Sequence, residues 1–368
     1  MKITRIARIS AIGAIAALAL SGCAANEAAS AGSDQPAEGA TALEGTLKAT
    51  GASSQSAAQE AWVAAFQTAN TGVTINYEPT GSGAGRENFL AGASDFIGSD
   101  RAFKSDEFAA GGFQMCTSDA IVEVPMYISP VAVAFNLEGI DSLNLDAASI
   151  AGIFAGKITN WNDKAIADQN EGVDLPDLAI SPVHRSDPSG TQETFTKYLS
   201  ATAGDVWTFE PADVWPITSG EAAQGTSGVV QAIKAGNGAI GFADASQTKD
   251  LGQVHVGVDG EYVPYSADAA AALVENSPLA EGRGAGDLVF EVDPAAAPAG
   301  AYPIALVSYL IACEQYEDTN KAALVKSYFQ YMASEEGQKA AEDNAGSAPI
   351  SAGLRDKVLA AIDTIKVD

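Results

Sequence analysis

The sequence predicts an α/β protein with mostly parallel sheets, on three observations. Short β-rich runs alternate with amphipathic helical runs along the chain. Several junctions from a strand into a helix carry Ser and Gly where the helix would begin. Roughly 320 residues follow the N-terminal leader and tether, enough for two domains of ordinary size.

The chain opens on a targeting segment, expected to be a lipoprotein signal peptide over residues 1–22. Lys2, Arg5 and Arg8 are followed by an apolar run from Ala11 to Leu20, too short for a spanning helix, which needs ~20 residues. Leu20-Ser21-Gly22-Cys23 resembles a bacterial lipobox, in which the cysteine takes lipid, palmitate included, and becomes the mature N-terminus. The alternative is an ordinary secretory peptide cut nearby. Residues 23–44 are rich in Ala, Ser, Gly and acids without apolar periodicity, and read as a flexible tether.

Beyond it, Thr46–Gly51 reads as a strand, and the Ser-rich turn 51–56 opens a helix with Trp62, Val63 and Phe66 on one face. Residues 73–77 alternate as a strand, and the Gly-rich run 80–85 opens a helix over 86–91. That run lacks the Lys-Ser/Thr ending of a P-loop and the spacing of a dinucleotide fingerprint. Residues 96–100 form a brief apolar strand ending on Asp100. Two β-rich runs fill 121–136, interrupted by Pro125 and Pro130 as edge or crossover segments allow. Helices are expected at 147–154, 161–168 and 227–234, and a strand at 239–242. Residues 268–298 read as a helix plus loops. Tyr302–Ile311 is an apolar strand, and helices over 321–332, 335–342 and 354–365 close the chain.

Charge narrows the function. The formal net charge is −27, and removing residues 1–22 takes away three cations and no acid, leaving a chain near −30. Nucleic acid and anionic bilayer surfaces are therefore poor electrostatic partners. A bound anion would have to be held by short, desolvated hydrogen bonds and a local cation. With Cys23 assigned to lipid, Cys116 and Cys313 remain in an exported chain, where two thiols pair or stay buried and free. Only His184 and His255 are present, with no close Cys pair, so no metal site and no cofactor are expected.

The chemistry concentrates at 184–191. The run Leu178-Ala179-Ile180 reads as a strand ending near Val183, and Phe195, Tyr198 and Leu199 have helical spacing. Between them Ser189, Gly190 and Thr191 fall at a helix start, where unsatisfied N–H groups and the positive dipole end favour an anion. Arg185 adds a forked cation. The alternative is a capped helix whose arginine pairs with a surface carboxylate. Three turns share this form, after Thr50, Tyr77 and Ile180. Together with Asp100 they suggest one convergent oxyanion site beyond strand ends.

The runs Gly51-Ala52-Ser53-Ser54, Thr80-Gly81-Ser82-Gly83-Ala84-Gly85, Gly98-Ser99-Asp100, Gly156-Lys157-Ile158-Thr159-Asn160-Trp161, Arg185-Ser186-Asp187-Pro188-Ser189-Gly190-Thr191 and Gly238-Ala239-Ile240-Gly241 occur in this order. Over residues 46–365 the chain resembles the phosphate-binding lipoproteins of bacterial phosphate ABC transporters. That resemblance implies a two-lobed periplasmic-binding-protein fold with two hinge crossings, within 121–136 and 302–311, and a ligand cleft between the lobes. Lobe I would comprise 45–130 with 302–368, and lobe II 131–301. Phosphate contacts carry over to Ser53, Ser54, Ser82 and Asp100, and from the far lobe to Arg185, Ser189, Gly190 and Thr191. Ser54 departs from the aromatic or aliphatic residue of many relatives, leaving its side chain or its backbone N–H as the contact. Arg101 is a candidate restraint on Asp100, whose alternative role is an ion pair with Arg101 or Arg185.

The function expected is a non-enzymatic, high-affinity receptor for inorganic phosphate. It would be lipid-anchored outside the bacterial cell membrane as a monomer, delivering to the permease and ATPase subunits of an ABC importer. The alternatives are a secreted phosphatase on the same scaffold, or a receptor for another oxyanion such as sulfate.

Overall fold

The computed structural model describes residues 43–368; the leader, Cys23 and the tether up to residue 42 lie outside the described residues. The first strand, β1 (Glu44–Gly51), already begins at the tether's expected end and is followed by α1 (Ser56–Ala69) and β2 (Gly72–Glu78). Next come α2 (Ser82–Leu90), β3 (Phe96–Ser99) and α3 (Ser105–Ala110). The long β4 (Ile121–Phe135) leads to β5 (Ser142–Leu145), α4 (Ala147–Phe154) and α5 (Lys164–Ala167). Then follow β6 (Ser181–Arg185), α6 (Gly190–Ala203), β7 (Glu221–Ala223), α7 (Gly225–Ala235) and β8 (Ala239–Asp244). The chain ends with β9 (Gly252–Val258), β10 (Glu261–Val263), α8 (Ala267–Glu275), β11 (Ala305–Cys313), α9 (Thr319–Ala333), α10 (Glu335–Ala345) and α11 (Ala352–Ile362).

The strands run β2-β1-β3-β11-β4-β8-β6-β7 across one sheet, with β9 joining β4 to β5 and β10. Pairings of β1 with β2 and β3, of β6 with β7 and β8, and of β5 with β9 are parallel. Those of β11 with β3 and β4, of β4 with β8 and β9, and of β9 with β10 are antiparallel. The expectation of mostly parallel sheets is thus corrected to an even mixture. The cause is the pair β4 and β11, which pass between the two halves and run against their neighbours.

β4 also corrects the two-run reading of 121–136. It is one strand of 15 residues, all buried. Its prolines fall where the ladder tolerates them. Pro130 pairs with the first residue of β11, and Pro125 lies beside a register shift between Ser308 and Tyr309. Residues on both faces are covered, so the run is apolar on both faces rather than alternating, apart from the buried Glu123 and Ser129.

Two cores form on either side of this crossing. The first gathers Trp62, Phe89, Phe96, Phe103, Tyr328 and Phe329 with residues 121–128 of β4. The second gathers Phe154, Trp161, Phe195, Tyr198, Trp207 and Phe242 with Val131, Val133 and Phe135. Within the span expected for lobe II, Ala270, Leu273 and Val274 of α8 pack into the first core, because that face of the helix meets β4 and β11.

The helix starts follow local chemistry. Asp146, Ser266, Asp318, Ser334 and Ser351 each accept a first-turn N–H of the helix they precede. Cys116 and Cys313 form a disulfide with Cα atoms 5.3 Å apart and a sequence separation of 197.

Two predictions follow from these features. Thiol titration of unfolded, unreduced protein should find neither Cys116 nor Cys313 reactive, and reduction should cost up to ~5 kcal/mol of stability, since the bond closes a long loop. Two reactive thiols would contradict the bridge. At the crossing, Asp244 is fully buried; its Oδ1 accepts from Tyr127 (3.0 Å) and Ser246, while Oδ2 has no partner. Burial raises its carboxyl to about 6, against the opposing bonds from Ser246, Ser129 and Tyr127. Such a group binds its proton more tightly when folded, so its contribution is full below ~4 and is lost as pH rises through about 6. Asp244→Asn should therefore gain stability relative to wild type on going from pH 4.5 to pH 7.5, by roughly 3 kcal/mol at most. Urea titrations giving the same difference at both pH values would refute this.

Candidate functional site

The candidate residues lie at helix starts and strand ends that face one another. Ser53 and Ser54 precede α1, whose N-cap residue Gln55 makes no side-chain cap. Ser82 opens α2 directly; the helix starts four residues before the expected Arg86, and its N-cap Gly81 has φ +99° and no side chain to cap with. Ser189 caps α6, accepting from the Gln192 N–H, and Gly190 and Thr191 form the first turn. The strand before them is displaced from its expected place. Leu178–Ile180 lie outside it, and β6 carries His184 and Arg185 as its last residues. Parallel pairing with β8 fixes that register, so Arg185 is held by a strand end rather than by a loop.

Asp100 is the meeting point. It is 5% exposed. Its Oδ1 accepts from the hydroxyls of Ser54 and Ser308, each at 2.6 Å. Its Oδ2 accepts from Thr191 at 2.6 Å. Its own N–H donates to Ser82 Oγ at 3.0 Å. A carboxylate has about four lone-pair sites, so three hydroxyls leave one acceptor position, on Oδ2. Asp100 makes no ion pair with either arginine weighed from the sequence. Arg101 instead engages Glu107 (2.6 Å), Glu193 (3.0 Å) and Asp213 (3.3 Å). Burial would raise the Glu107 carboxyl, but its bonds from Arg101 and from the Lys104 N–H hold it down at about 2.

Arg185 is 3% exposed and pairs with Asp187. Its Nε donates to Asp187 Oδ1 at 2.8 Å, its Nη2 to Oδ2, and its Nη1 to Ser189 Oγ at 2.8 Å. Of five donors, three are engaged and two remain for a ligand. Burial opposes ionisation of Asp187, yet the Arg185 bonds and the Gly225 N–H carry its carboxyl below the ordinary range. A Cβ on Gly81 would fall within contact of both Asp187 Oδ2 and Arg185 Nη2, so only glycine lets the two loops meet.

Further bonds close the two halves over the cluster. Ser53 Oγ accepts from the Thr226 N–H at 3.0 Å and lies 2.9 Å from its hydroxyl. The Gly83 N–H donates to Pro188 O at 3.1 Å, and Arg86 pairs with Asp213 at 2.8 Å. All eight candidate residues are thus brought together. Ser54, Ser82, Thr191 and Gly190 converge on Asp100, Ser189 braces Arg185, and Ser53 joins the closure. Sequence reasoning missed Ser308, Gln55, Asp187 and Asp213. Asp187 had a local signal, two residues after Arg185 at the end of a strand. Ser308 was a lone polar residue in an apolar β-run. A cavity of about 220 Å³ lined by Ser53, Thr80, Gln224 and Gly225 opens beside the cluster. Among the described residues, no group of three or more His, Cys, Asp or Glu side chains could hold a metal ion.

Gly190 limits the closure. A Cβ there would lie 2.6 Å from Asp100 Cβ and 2.9 Å from the Arg101 N. Gly190→Ala should destabilise the closed form by ~1–3 kcal/mol while leaving both cores intact. Small-angle scattering should then report a more open particle; an unchanged particle would show that the halves tolerate the methyl group.

The chain resembles known proteins over most of its length. A family model described as a PBP superfamily domain matches residues 35–336. The phosphate-binding protein PstS 3 of Mycobacterium leprae is 35% identical over 357 residues, covering 94% of this chain and 95% of that protein. PstS 3 of Mycobacterium tuberculosis is 34% identical over 327 residues, covering 87% and 86%. Among solved structures, a high affinity periplasmic phosphate-binding protein (PfluDING) bound with phosphate aligns with a TM-score of 0.69 at 22% identity, covering 85% of this chain and 93% of that one. At that identity the structural likeness speaks for the fold, two lobes of mixed α/β. Conversely, the sequence relatives cover nearly the whole length, and the chain belongs to the PBP superfamily and, within it, to the family of the PstS phosphate-binding proteins.

Proposed function

We propose that the protein is an extracytoplasmic, high-affinity receptor for inorganic phosphate that delivers it to an ABC importer, and that it is not an enzyme. The observation that carries this reading is the state of Asp100, a buried carboxylate with three hydroxyl donors and one acceptor site left. Inorganic phosphate near neutral pH still carries a proton, because loss of the second, with a pKa of ~6 on the phosphoester scale, leaves the third in place. One of its oxygens can donate to that site. Sulfate has no proton to give, and it would set its charge against an unpaired buried carboxylate, at a cost of several kcal/mol. Selectivity then arises by rejection.

Ser53, Ser82, Arg185, Ser189, Gly190 and Thr191 are the proposed further contacts. Arg185 supplies its two remaining donors, and the first-turn N–H groups of α2 and α6 supply the others. Ser54 contacts the ligand by its backbone N–H, since its hydroxyl is committed to Asp100. In this reading lobe I is 45–130 with 302–368, joined by α8, and lobe II is the remainder of 131–301. The lobes hinge about β4 and β11. The names of the relatives support a phosphate ligand. Delivery would use membrane permease and ATPase subunits. The chain would act as a monomer on the outer face of the cell membrane, held by lipid on Cys23. Among the described residues, no helix is long and apolar enough to cross a membrane.

Calorimetric titration with phosphate and then sulfate tests the reading. Wild type should bind phosphate and ignore sulfate, and Asp100→Asn should narrow that difference. Thr191→Val and Ser82→Ala should each weaken phosphate binding by ~1–3 kcal/mol. Sulfate competing equally would make it a receptor for another oxyanion, and steady product release from a chromogenic phosphoester would make it a phosphatase.

A further inference from the structure

A row of buried polar side chains leads from Asp100 into the first core. Gln55, Gln59 and Ser308 are 2% exposed or less, as is Tyr328 in the middle of α9. They are bonded in sequence. The Tyr328 hydroxyl lies 3.0 Å from Gln59 Oε1, Gln59 Nε2 lies 3.0 Å from Gln55 Oε1, Gln55 Nε2 lies 2.6 Å from Ser308 Oγ, and Ser308 Oγ lies 2.6 Å from Asp100 Oδ1.

One backbone group sets the direction of all four bonds. Gln55 Nε2 also donates to the Tyr309 carbonyl at 3.2 Å, and a carbonyl can only accept. The nitrogen of Gln55 is therefore on the β11 side and its oxygen faces Gln59. That oxygen takes a proton from Gln59 Nε2, so Gln59 presents its own oxygen to Tyr328, whose hydroxyl must donate. At the other end Ser308 Oγ receives a proton from Gln55 and sends its own to Asp100. Burial, with Tyr331 nearby, holds the Tyr328 hydroxyl well above 10, so it stays a donor at working pH.

We propose that this Tyr328–Gln59–Gln55–Ser308 row is a specificity-determining relay, which fixes Asp100 as a proton acceptor and so sharpens the choice of protonated phosphate over sulfate. Ser308 is a positioning residue in this sense, and the others act through it. Donors aligned head to tail polarise one another, so each link strengthens the last bond onto Oδ1. With Ser54 also donating to Oδ1, that oxygen is saturated, and the open acceptor position is confined to Oδ2, toward Thr191. The hinge strand β11 thus enters the site chemically as well as mechanically.

The inference rests on the phosphate reading, and the experiment separates the two. Phosphate and sulfate affinities are measured by calorimetry from pH 5 to pH 8 for wild type, Ser308→Ala, Gln55→Leu, Tyr328→Phe and Ser308→Thr. Losing a hydrogen bond to a charged group should lower the phosphate-to-sulfate affinity ratio by at least ~10-fold in Ser308→Ala. Gln55→Leu should lower it in the same direction. Tyr328→Phe removes one oxygen and should lower it about 2-fold; it carries the test if the nearer variants do not fold. Ser308→Thr keeps the hydroxyl and should restore the wild-type ratio. A packing role alone would reduce stability and leave the ratio and its pH profile untouched, which would overturn the relay. Wild type that fails to prefer phosphate would overturn the phosphate reading itself, and the relay with it.

Discussion

The bonds onto Asp100 bring together parts of the molecule that share no local structure. Ser54 comes from the turn before α1, Ser308 from the crossing strand β11, Thr191 from the first turn of α6 in the other half. A buried carboxylate tolerates burial only when its lone pairs are met. Satisfying this one group therefore requires the turn, the hinge and the far helix to be in place together. The alternation of short strands and Ser- or Gly-opened helices serves that requirement, because each helix start delivers donors without a long side chain.

Electrostatics sharpen the point. A chain with a formal charge of −27 cannot attract an anion from a distance. Its buried arginines are also largely neutralised. Arg185 faces Asp187, Arg86 faces Asp213, and Arg101 is shared among Glu107, Glu193 and Asp213. In the proposed function a ligand would meet a set of directed N–H and O–H groups with little net field, a surface suited to recognising geometry and protonation rather than charge.

Much of this was legible in the sequence, and the reasons differ by residue. The Gly-Ser-Asp run and the Arg-x-Asp-x-Ser-Gly-Thr run advertise themselves because strand ends and helix starts are local events. Helices such as α1, α7 and α9 announce themselves by their apolar faces. The continuous β4 did not, since prolines usually end a strand and only its partners explain why these do not. The position of β6 was misread because the apolar run Leu178–Ile180 precedes the strand, whose register is set by pairing with β8. Ser308, Gln55 and Asp213 were silent because each matters only through a residue far along the chain. α8 joins the first core through packing that its own sequence does not encode.

The placement of β11 has a further consequence. It sits between β3 and β4 in the sheet, yet it is the last strand to be synthesised. Until residue 305 has emerged from the ribosome, β3 presents an unpaired edge and the first core lacks its central slat. The junction of β3 to β4 therefore forms only when β11 is present, because a long-range pairing rewards the chain only once both partners exist, whereas most of the second core is complete in sequence before it.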